Sequence, residues 1–158
     1  MQLRELSSHD IPLIWEINEQ GLPGTGKVSQ QEIVELLRIA ELTIGAFDGE
    51  QLLGFVICFL PRTDYASLNY AWFNQRYQDF LYVDRIAVSE NHRNRTIGSL
   101  LYQEVISYAK QYNYPIAAEV SLNPPNPGSM RFHHRFDFAE IGVLNHQNKS
   151  VTMMMRDC

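Results

Sequence analysis

The stretch from Phe80 to Tyr112 reads as a strand, a turn and a helix in immediate succession. Phe80–Val88 is an apolar run with the composition of a buried strand. Ser89–Thr96 is polar and basic, and Ile97–Tyr112 repeats apolar residues at the spacing of an amphipathic helix. A strand that passes directly into such a helix is typical of domains in which helices cover the faces of a sheet.

Patterns on either side of this stretch predict further helices and strands. We expect helices over His9–Glu19 and Ser129–Phe136, and a third that begins at Ser29, where Ser29-Gln30-Gln31-Glu32 has the form of a capping box. Asp48-Gly49 between two apolar runs indicates a hairpin turn. The other predicted strands are Gln2–Glu5, Leu42–Phe47, Leu52–Leu60, Ile116–Leu122, Ala139–Leu144 and Lys149–Met155.

Helices and strands in this order predict a single domain over residues 1–158, in the α/β (α+β) class. We expect a central mixed, mostly antiparallel sheet of about seven strands with about four helices on its faces. Pro61–Gln78 is predicted to be a long connection, which in a compact domain is usually functional or mobile. Its aromatic residues either enclose a cationic substrate or pack against the sheet edge; they are Tyr65, Tyr70, Trp72, Phe73 and Tyr77.

The composition is that of an ordinary globular protein, with 45% hydrophobic and 20% charged residues. A net charge of −5 argues against nucleic acid or an anionic membrane as the main partner and is more compatible with a cationic substrate. Met1–Glu5 lacks a secretory signal pattern, and no apolar stretch approaches the roughly 20 residues of a membrane helix, so we expect a cytoplasmic protein. Cys58 and Cys158 have neither disulfide nor metal-site spacing, and we expect no metal.

Gly21–Val28 nearly matches the phosphate-binding loop Gly-x-x-x-x-Gly-Lys-Ser/Thr of nucleotide-binding proteins. Two observations weaken this match. Val28 stands where a serine or threonine should hold Mg²⁺, and the preceding Ile11–Gln20 is too charged and too helical to be the required buried strand. We favour a loop between two helices, or a lid over a substrate, and keep a P-loop nucleotide-binding protein as a rival hypothesis.

The turn before the predicted helix at Ile97 carries a stronger signal for a phosphate group. A helix start leaves several backbone N–H groups without partners and adds the positive end of the helix dipole. Arg93 and Arg95 place two cations there in a chain that is negative overall, and Gly98 lets the backbone approach a ligand closely. The sequence therefore predicts a phosphate site at this turn.

Arg93–Gly98 resembles the acetyl-CoA signature of the GNAT N-acetyltransferases, Gln/Arg-x-x-Gly-x-Gly/Ala. Thr96 replaces the first glycine; threonine resists positive φ, but its hydroxyl can donate to a phosphate oxygen. The second hallmark of that family, roughly Asn-x-x-Ala-x-x-Phe-Tyr-x-x-x-Gly-Phe, is similar to a segment after the next predicted strand. The matching positions are Asn126, Ser129, Phe132, His133, Asp137 and Phe138, with His133 at the tyrosine position.

The resemblance implies that acetyl-CoA is the acyl donor. The pantetheine arm would lie along the strand that ends at Val88, the pyrophosphate would lie in the turn, and the second motif would complete the site. The implied cofactor-binding residues are Ile86, Ala87, Val88, Arg93, Asn94, Arg95, Thr96, Ile97, Gly98, Ser99, Asn126, Ser129 and Phe132. A primary amine of a small molecule or protein would attack the thioester directly in a ternary complex.

This chemistry needs a general acid for the departing thiolate and a base for the amine. The resemblance places His133 at the position of the acid. Tyr82 and Asp84 are the candidates for the base, with Glu119 in reserve; Asp84 could instead form a salt bridge with Arg85, and Glu119 could lie on a solvated face. The His133 and Thr96 replacements keep a non-catalytic acyl-CoA sensor as an alternative, and a homodimer stays open.

Overall fold

The computed structural model describes residues 1–93 and 96–158, and within them the chain forms a seven-stranded sheet flanked by five α-helices. The strands are β1 (Gln2–Arg4), β2 (Leu42–Asp48), β3 (Gln51–Phe59), β4 (Leu81–Val88), β5 (Ile116–Asn123), β6 (Ala139–Asn145) and β7 (Ser150–Arg156). The helices are α1 (Ile11–Gln20), α2 (Gln30–Ile39), α3 (Leu68–Arg76), α4 (Ile97–Tyr112) and α5 (Pro127–Arg135). The mixed sheet and its α/β class are as the sequence predicts.

The sheet has the order β1-β2-β3-β4-β5-β7-β6 and is antiparallel except at its centre. There β4 and β5 run parallel and pair only at Leu81↔Ile116 and Tyr82↔Ala117. Both strands continue, β4 to Val88 and β5 to Asn123, without further pairing between them. The two strands therefore splay apart and open a gap in the middle of the sheet.

Apolar side chains form one core on each face of the sheet. The first core packs α1, α2 and α3 against the sheet and includes Ile14, Ile33 and Phe73, all fully buried. The second packs α4 on the opposite face and includes Leu101 and Val105, also fully buried. The sheet therefore lies between two cores, one on each face.

The start of α2 confirms the predicted capping box. The Glu32 amide donates to the Ser29 hydroxyl at 3.0 Å, and the Glu32 carboxylate accepts from the Ser29 amide at 3.0 Å. The predicted turn at Asp48-Gly49 joins β2 to β3, and Gly49 has a φ of +61°, which glycine adopts without strain. These boundaries follow from local sequence signals alone.

Helix α3 lies inside the segment that the sequence predicts to be an irregular connection. The Ser67 hydroxyl caps this helix by accepting from the Tyr70 amide at 3.3 Å. Tyr70 and Phe73 are buried against the sheet, so these two aromatic residues are part of the core. None of the helices within the described ranges is both long and apolar enough to cross a membrane.

Candidate active site

Two neighbouring cavities lie at the gap between β4 and β5. The first, of about 500 Å³, lies against the first turn of α4 and is called here the outer cleft. The second, of about 260 Å³, extends through the gap and is called here the inner chamber. Ile86, Ser129 and His133 line both cavities, so the two cavities adjoin at these residues.

The outer cleft brings together most of the residues that the sequence predicts for the cofactor. Those that line it are Ile86, Ala87, Val88, Arg93, Thr96, Ile97, Gly98, Ser99, Ser129 and Phe132. Asn126 does not line it; its side chain caps α5 by accepting from the Ser129 amide at 3.3 Å. Asn94 and Arg95 lie outside the described residues.

The first turn of α4 supplies amide donors to the outer cleft. The helix begins with a hydrogen bond from the Leu100 amide to the Thr96 carbonyl at 3.0 Å, so the amides of Ile97, Gly98 and Ser99 have no acceptor within the helix. Thr96 has a φ of +64°, the conformation that a glycine at this position would adopt more easily. The backbone therefore keeps a left-handed turn at the helix start despite the threonine.

Gly98 and Arg93 shape the two sides of this turn. A Cβ atom on Gly98 would lie 3.5 Å from the Phe132 ring, an ordinary contact, so packing does not require glycine there. The absent side chain instead leaves room in the outer cleft. Arg93 is held at the rim, where its guanidinium donates to the carbonyls of Val88 at 3.3 Å and Gln20 at 3.2 Å.

The inner chamber connects the two faces of the sheet. From the face covered by α1 to α3 it receives Asp84, Arg85 and Glu119, and from the face covered by α4 it receives Tyr102 and His133. Groups that take up a proton and groups that donate one thus border the same small space. The gap between β4 and β5 makes this arrangement possible.

Glu119 lies in the wall of the inner chamber, and its pKa is strongly raised. It lies two residues beyond Ala117, the β5 partner of Tyr82, and accepts from the Tyr82 hydroxyl at 2.8 Å and from the Asn69 amide at 3.1 Å. Burial raises the pKa of Glu119 to about 7, against the lowering effect of the Tyr82 hydrogen bond. Glu119 is half-buried in the chamber wall rather than on a solvated face.

Tyr82 acts as a hydrogen-bond donor in this arrangement. Its side chain is fully buried, and burial together with the Glu119 carboxylate raises its pKa well above the usual value of a tyrosine. The hydroxyl therefore stays protonated at neutral pH and donates to both carboxylate oxygens of Glu119. This geometry disfavours Tyr82 as a base and makes it a support for Glu119.

Asp84 lies in a β-bulge of β4, where Val83 pairs with Cys58 and Arg85 pairs with Ile57. The bulge places the side chains of Asp84 and Arg85 together, and they form a buried ion pair at 2.7 Å. The salt bridge with Arg85, one of the two roles predicted for Asp84, is therefore present. The Asp84 carboxylate is thus already paired with a buried guanidinium, whereas Glu119 accepts from the uncharged donors Tyr82 and Asn69.

The Asp84–Arg85 ion pair also fixes the loop that resembles a phosphate-binding loop. Arg85 donates to the Gly26 carbonyl and to the Asn18 side chain, both at 3.0 Å. This loop joins α1 to α2 and lines the inner chamber with Gly24, Thr25 and Gly26, while Lys27 is exposed. A helix precedes the loop where a P-loop needs a strand, so the nucleotide-binding hypothesis fails and the inter-helix interpretation holds.

His133 is buried on α5 and forms a short hydrogen bond with Tyr102 of α4. Its Nδ1 lies 2.8 Å from the Ser129 carbonyl, which can only accept, so Nδ1 carries a proton. Nε2 then accepts from the Tyr102 hydroxyl at 2.6 Å. Burial lowers the pKa of His133, so the imidazole is neutral at pH 7.

Tyr102 is the residue of the site that sequence reasoning missed. It follows Leu101 and precedes Val105 by three positions, on the buried side of α4. A tyrosine at such a position needs a buried partner for its hydroxyl, and His133 is the polar residue that faces it. A tyrosine on the buried face of a predicted helix was therefore a signal in the sequence, but its partner His133 could be identified only from the fold.

The sequence matches the acetyltransferase (GNAT) family over residues 11–138, and the chain therefore belongs to this family. No curated protein sequence matches it significantly. Among similar solved structures, Arabidopsis thaliana NAA60 in complex with a bisubstrate analogue has a TM-score of 0.78 at 17% identity, over 99% of this chain and 97% of that one. Ard1 from Thermoplasma volcanium has a TM-score of 0.77 at 20% identity, with 99% and 96% covered. The ribosomal-protein-alanine N-acetyltransferase from Brucella melitensis has a TM-score of 0.77 at 16% identity, with both chains fully covered (100% and 100%).

Proposed function

We propose that this protein transfers the acetyl group of acetyl-CoA to a primary amine of a small molecule or protein, by direct attack in a ternary complex. The observation that carries the proposal is the junction of the two cavities at Ile86, Ser129 and His133. A thioester that enters through the outer cleft would reach this junction, and an amine in the inner chamber would meet it there. The acyltransferase family of the chain and the geometry of its site thus support the same reaction.

The outer cleft is the proposed site of acetyl-CoA. Its pyrophosphate would accept hydrogen bonds from the first amides of α4, where the helix dipole also favours negative charge. Arg93 and the neighbouring Arg95 would add positive charge, and the pantetheine arm would follow β4 past Val88 and Ile86. Arabidopsis NAA60, a structural neighbour, has been solved with acetyl-CoA, which supports a cofactor of this kind.

Glu119 is the proposed general base. An amine is protonated near pH 7 and must lose one proton before its lone pair can attack the thioester carbonyl. A carboxylate with a pKa of about 7 is partly ionised at that pH and is basic enough to take this proton. The Tyr82 hydroxyl and the Asn69 amide hold it in place.

The His133–Tyr102 pair is the proposed proton donor to the leaving group. As nitrogen bonds to the thioester carbon, the carbon–sulfur bond breaks and its electrons go to sulfur. The proton shared between the Tyr102 hydroxyl and His133 Nε2 lies beside the junction and would protonate the thiolate. The second amine proton would return to the Tyr102 oxygen, and the proton that Glu119 took from the ammonium would leave to water, so that one proton is released in total.

A thiol-release assay with acetyl-CoA over a panel of amines tests this proposal, with isothermal titration of acetyl-CoA alongside it. We expect binding of acetyl-CoA and amine-dependent release of CoA. Binding without turnover of any amine would overturn the transfer reaction and favour a protein that only senses acyl-CoA. Absence of binding would overturn the assignment of the outer cleft as well.

A further inference from the structure

The inner chamber is small and its walls are fixed. Its volume of about 260 Å³ lies below the roughly 300–1,000 Å³ of pockets that hold drug-sized ligands. On one side, Arg85 and Asn18 both donate to the Gly26 carbonyl at 3.0 Å and hold the loop between α1 and α2. This wall leaves space for a compact acceptor.

The hairpin between β6 and β7 closes the opposite side. The Asn69 carbonyl oxygen can only accept, so His146 Nε2 donates to it at 2.8 Å, and the Asn69 amide in turn donates to Glu119. The hairpin is thereby tied to α3 and, through Asn69, to the proposed base. The same hairpin brings Lys149 into the chamber lining.

Glu119 and Lys149 are charged groups of the chamber wall that can form an ion pair with a ligand. Asp84 and Arg85 neutralise each other at 2.7 Å. Glu119 accepts only from uncharged donors, and across residues 1–93 and 96–158 no ion pair includes Lys149. Lys149 is nevertheless close enough to lower the pKa of Glu119. The chamber thus presents one carboxylate and one separate ammonium within a small volume.

We propose that the acceptor is a small amino carboxylate, of the size of a free amino acid, whose ammonium faces Glu119 and whose carboxylate faces Lys149. This inference rests on the proposed function and specifies its acceptor. The reaction forms a bond between the acceptor nitrogen and the acetyl carbon and breaks the carbon–sulfur bond. It yields the N-acetyl amino acid, CoA thiol and one proton released to water.

Thiol release from acetyl-CoA is measured with each common amino acid and with its carboxamide, which keeps the amine and removes the negative charge. We expect at least one amino acid to exceed its amide by about 10-fold or more in kcat/KM, because a charge-assisted contact is lost in the amide. Lys149→Met should bring this ratio close to one. Lys110→Met, which removes an exposed lysine outside both cavities, should leave it unchanged.

The outcomes separate this inference from the function on which it rests. Amides turned over as well as their acids would overturn the acceptor class and leave acetyl transfer intact, and so would a Lys149→Met ratio equal to that of the unmodified protein. If no amine is turned over, the proposed function fails. Titration of amino acids into the CoA-bound protein then tests the chamber as an amino-acid site. Binding that is lost in Lys149→Met supports such a site. Absence of binding to the unmodified protein overturns it.

Discussion

Replacing Glu119 by glutamine tests the proposed base through activity and through stability. The amide keeps the size of the side chain and can still accept from the Tyr82 hydroxyl, so the fold should survive. Loss of a general base lowers kcat by about 10²–10⁴-fold. In the unmodified protein, kcat/KM should rise with pH through about 7, as Glu119 ionises.

The raised pKa of Glu119 also determines how the free energy of unfolding depends on pH. Glu119 has its ordinary pKa of 4.5 in the unfolded chain and about 7 in the folded one, so the folded state holds the proton more tightly. Between pH 4.5 and about 7, Glu119 is ionised mainly in the unfolded state, so the free energy of unfolding falls as the pH rises. The difference corresponds to at most about 3 kcal/mol, and partial contact of the carboxylate with water reduces it.

Urea unfolding at pH 4.5 and pH 8 measures this effect. Glu119→Gln should be nearly as stable as the unmodified protein at pH 4.5 and should become the more stable of the two at pH 8. Glu104→Gln, at an exposed position on α4, serves as the control and should show no such change. A stability difference for Glu119→Gln that is the same at both pH values would refute the raised pKa, and an unchanged kcat would refute the role as base.

Three further substitutions test other parts of the account. Tyr102→Phe removes the hydroxyl that donates to His133. It should lower kcat by about 10²-fold or more in steady-state assays, with little change in the Kd of acetyl-CoA in titration. An unchanged kcat would show that Tyr102 is not on the proton path. Gly98→Leu should fold normally but weaken acetyl-CoA binding by at least about 10-fold in titration, because its side chain would enter the outer cleft; unaltered binding would place the cofactor elsewhere. Gly45→Ala should lower the unfolding free energy by about 1–3 kcal/mol in urea, since its Cβ would lie 2.6 Å from Leu6; equal stability would show that the core rearranges there.

Local signals were sufficient for much of the fold. The capping box at Ser29 and the Asp48-Gly49 turn depend on neighbouring residues only, and both are present. The basic turn before Ile97 likewise marks the outer cleft in the sequence, because a helix start and its cations are adjacent along the chain. Helix α3 escaped prediction because its residues lack a clear amphipathic pattern, and Tyr70 and Phe73 are buried by contacts with distant strands.

The chemistry of the inner chamber depends on contacts that sequence distance hides. The pKa of Glu119 is raised by burial and adjusted by Tyr82 and Asn69, which come from two other elements. The sequence made Asp84 a candidate for the base, but a bulge in β4 pairs it with Arg85. Neither the bulge nor the separation of β4 from β5 has a local signature in the residues that form it.

In the proposed reaction, the thioester of acetyl-CoA reaches the junction where the outer cleft meets the inner chamber. A crystal structure of the protein with bound CoA measures this directly. We predict the pyrophosphate on the first turn of α4, with the amides of Ile97–Ser99, and the sulfur beside His133 at the gap between β4 and β5. Pyrophosphate density around Lys27, or a sulfur atom remote from His133 and Tyr102, would contradict the account.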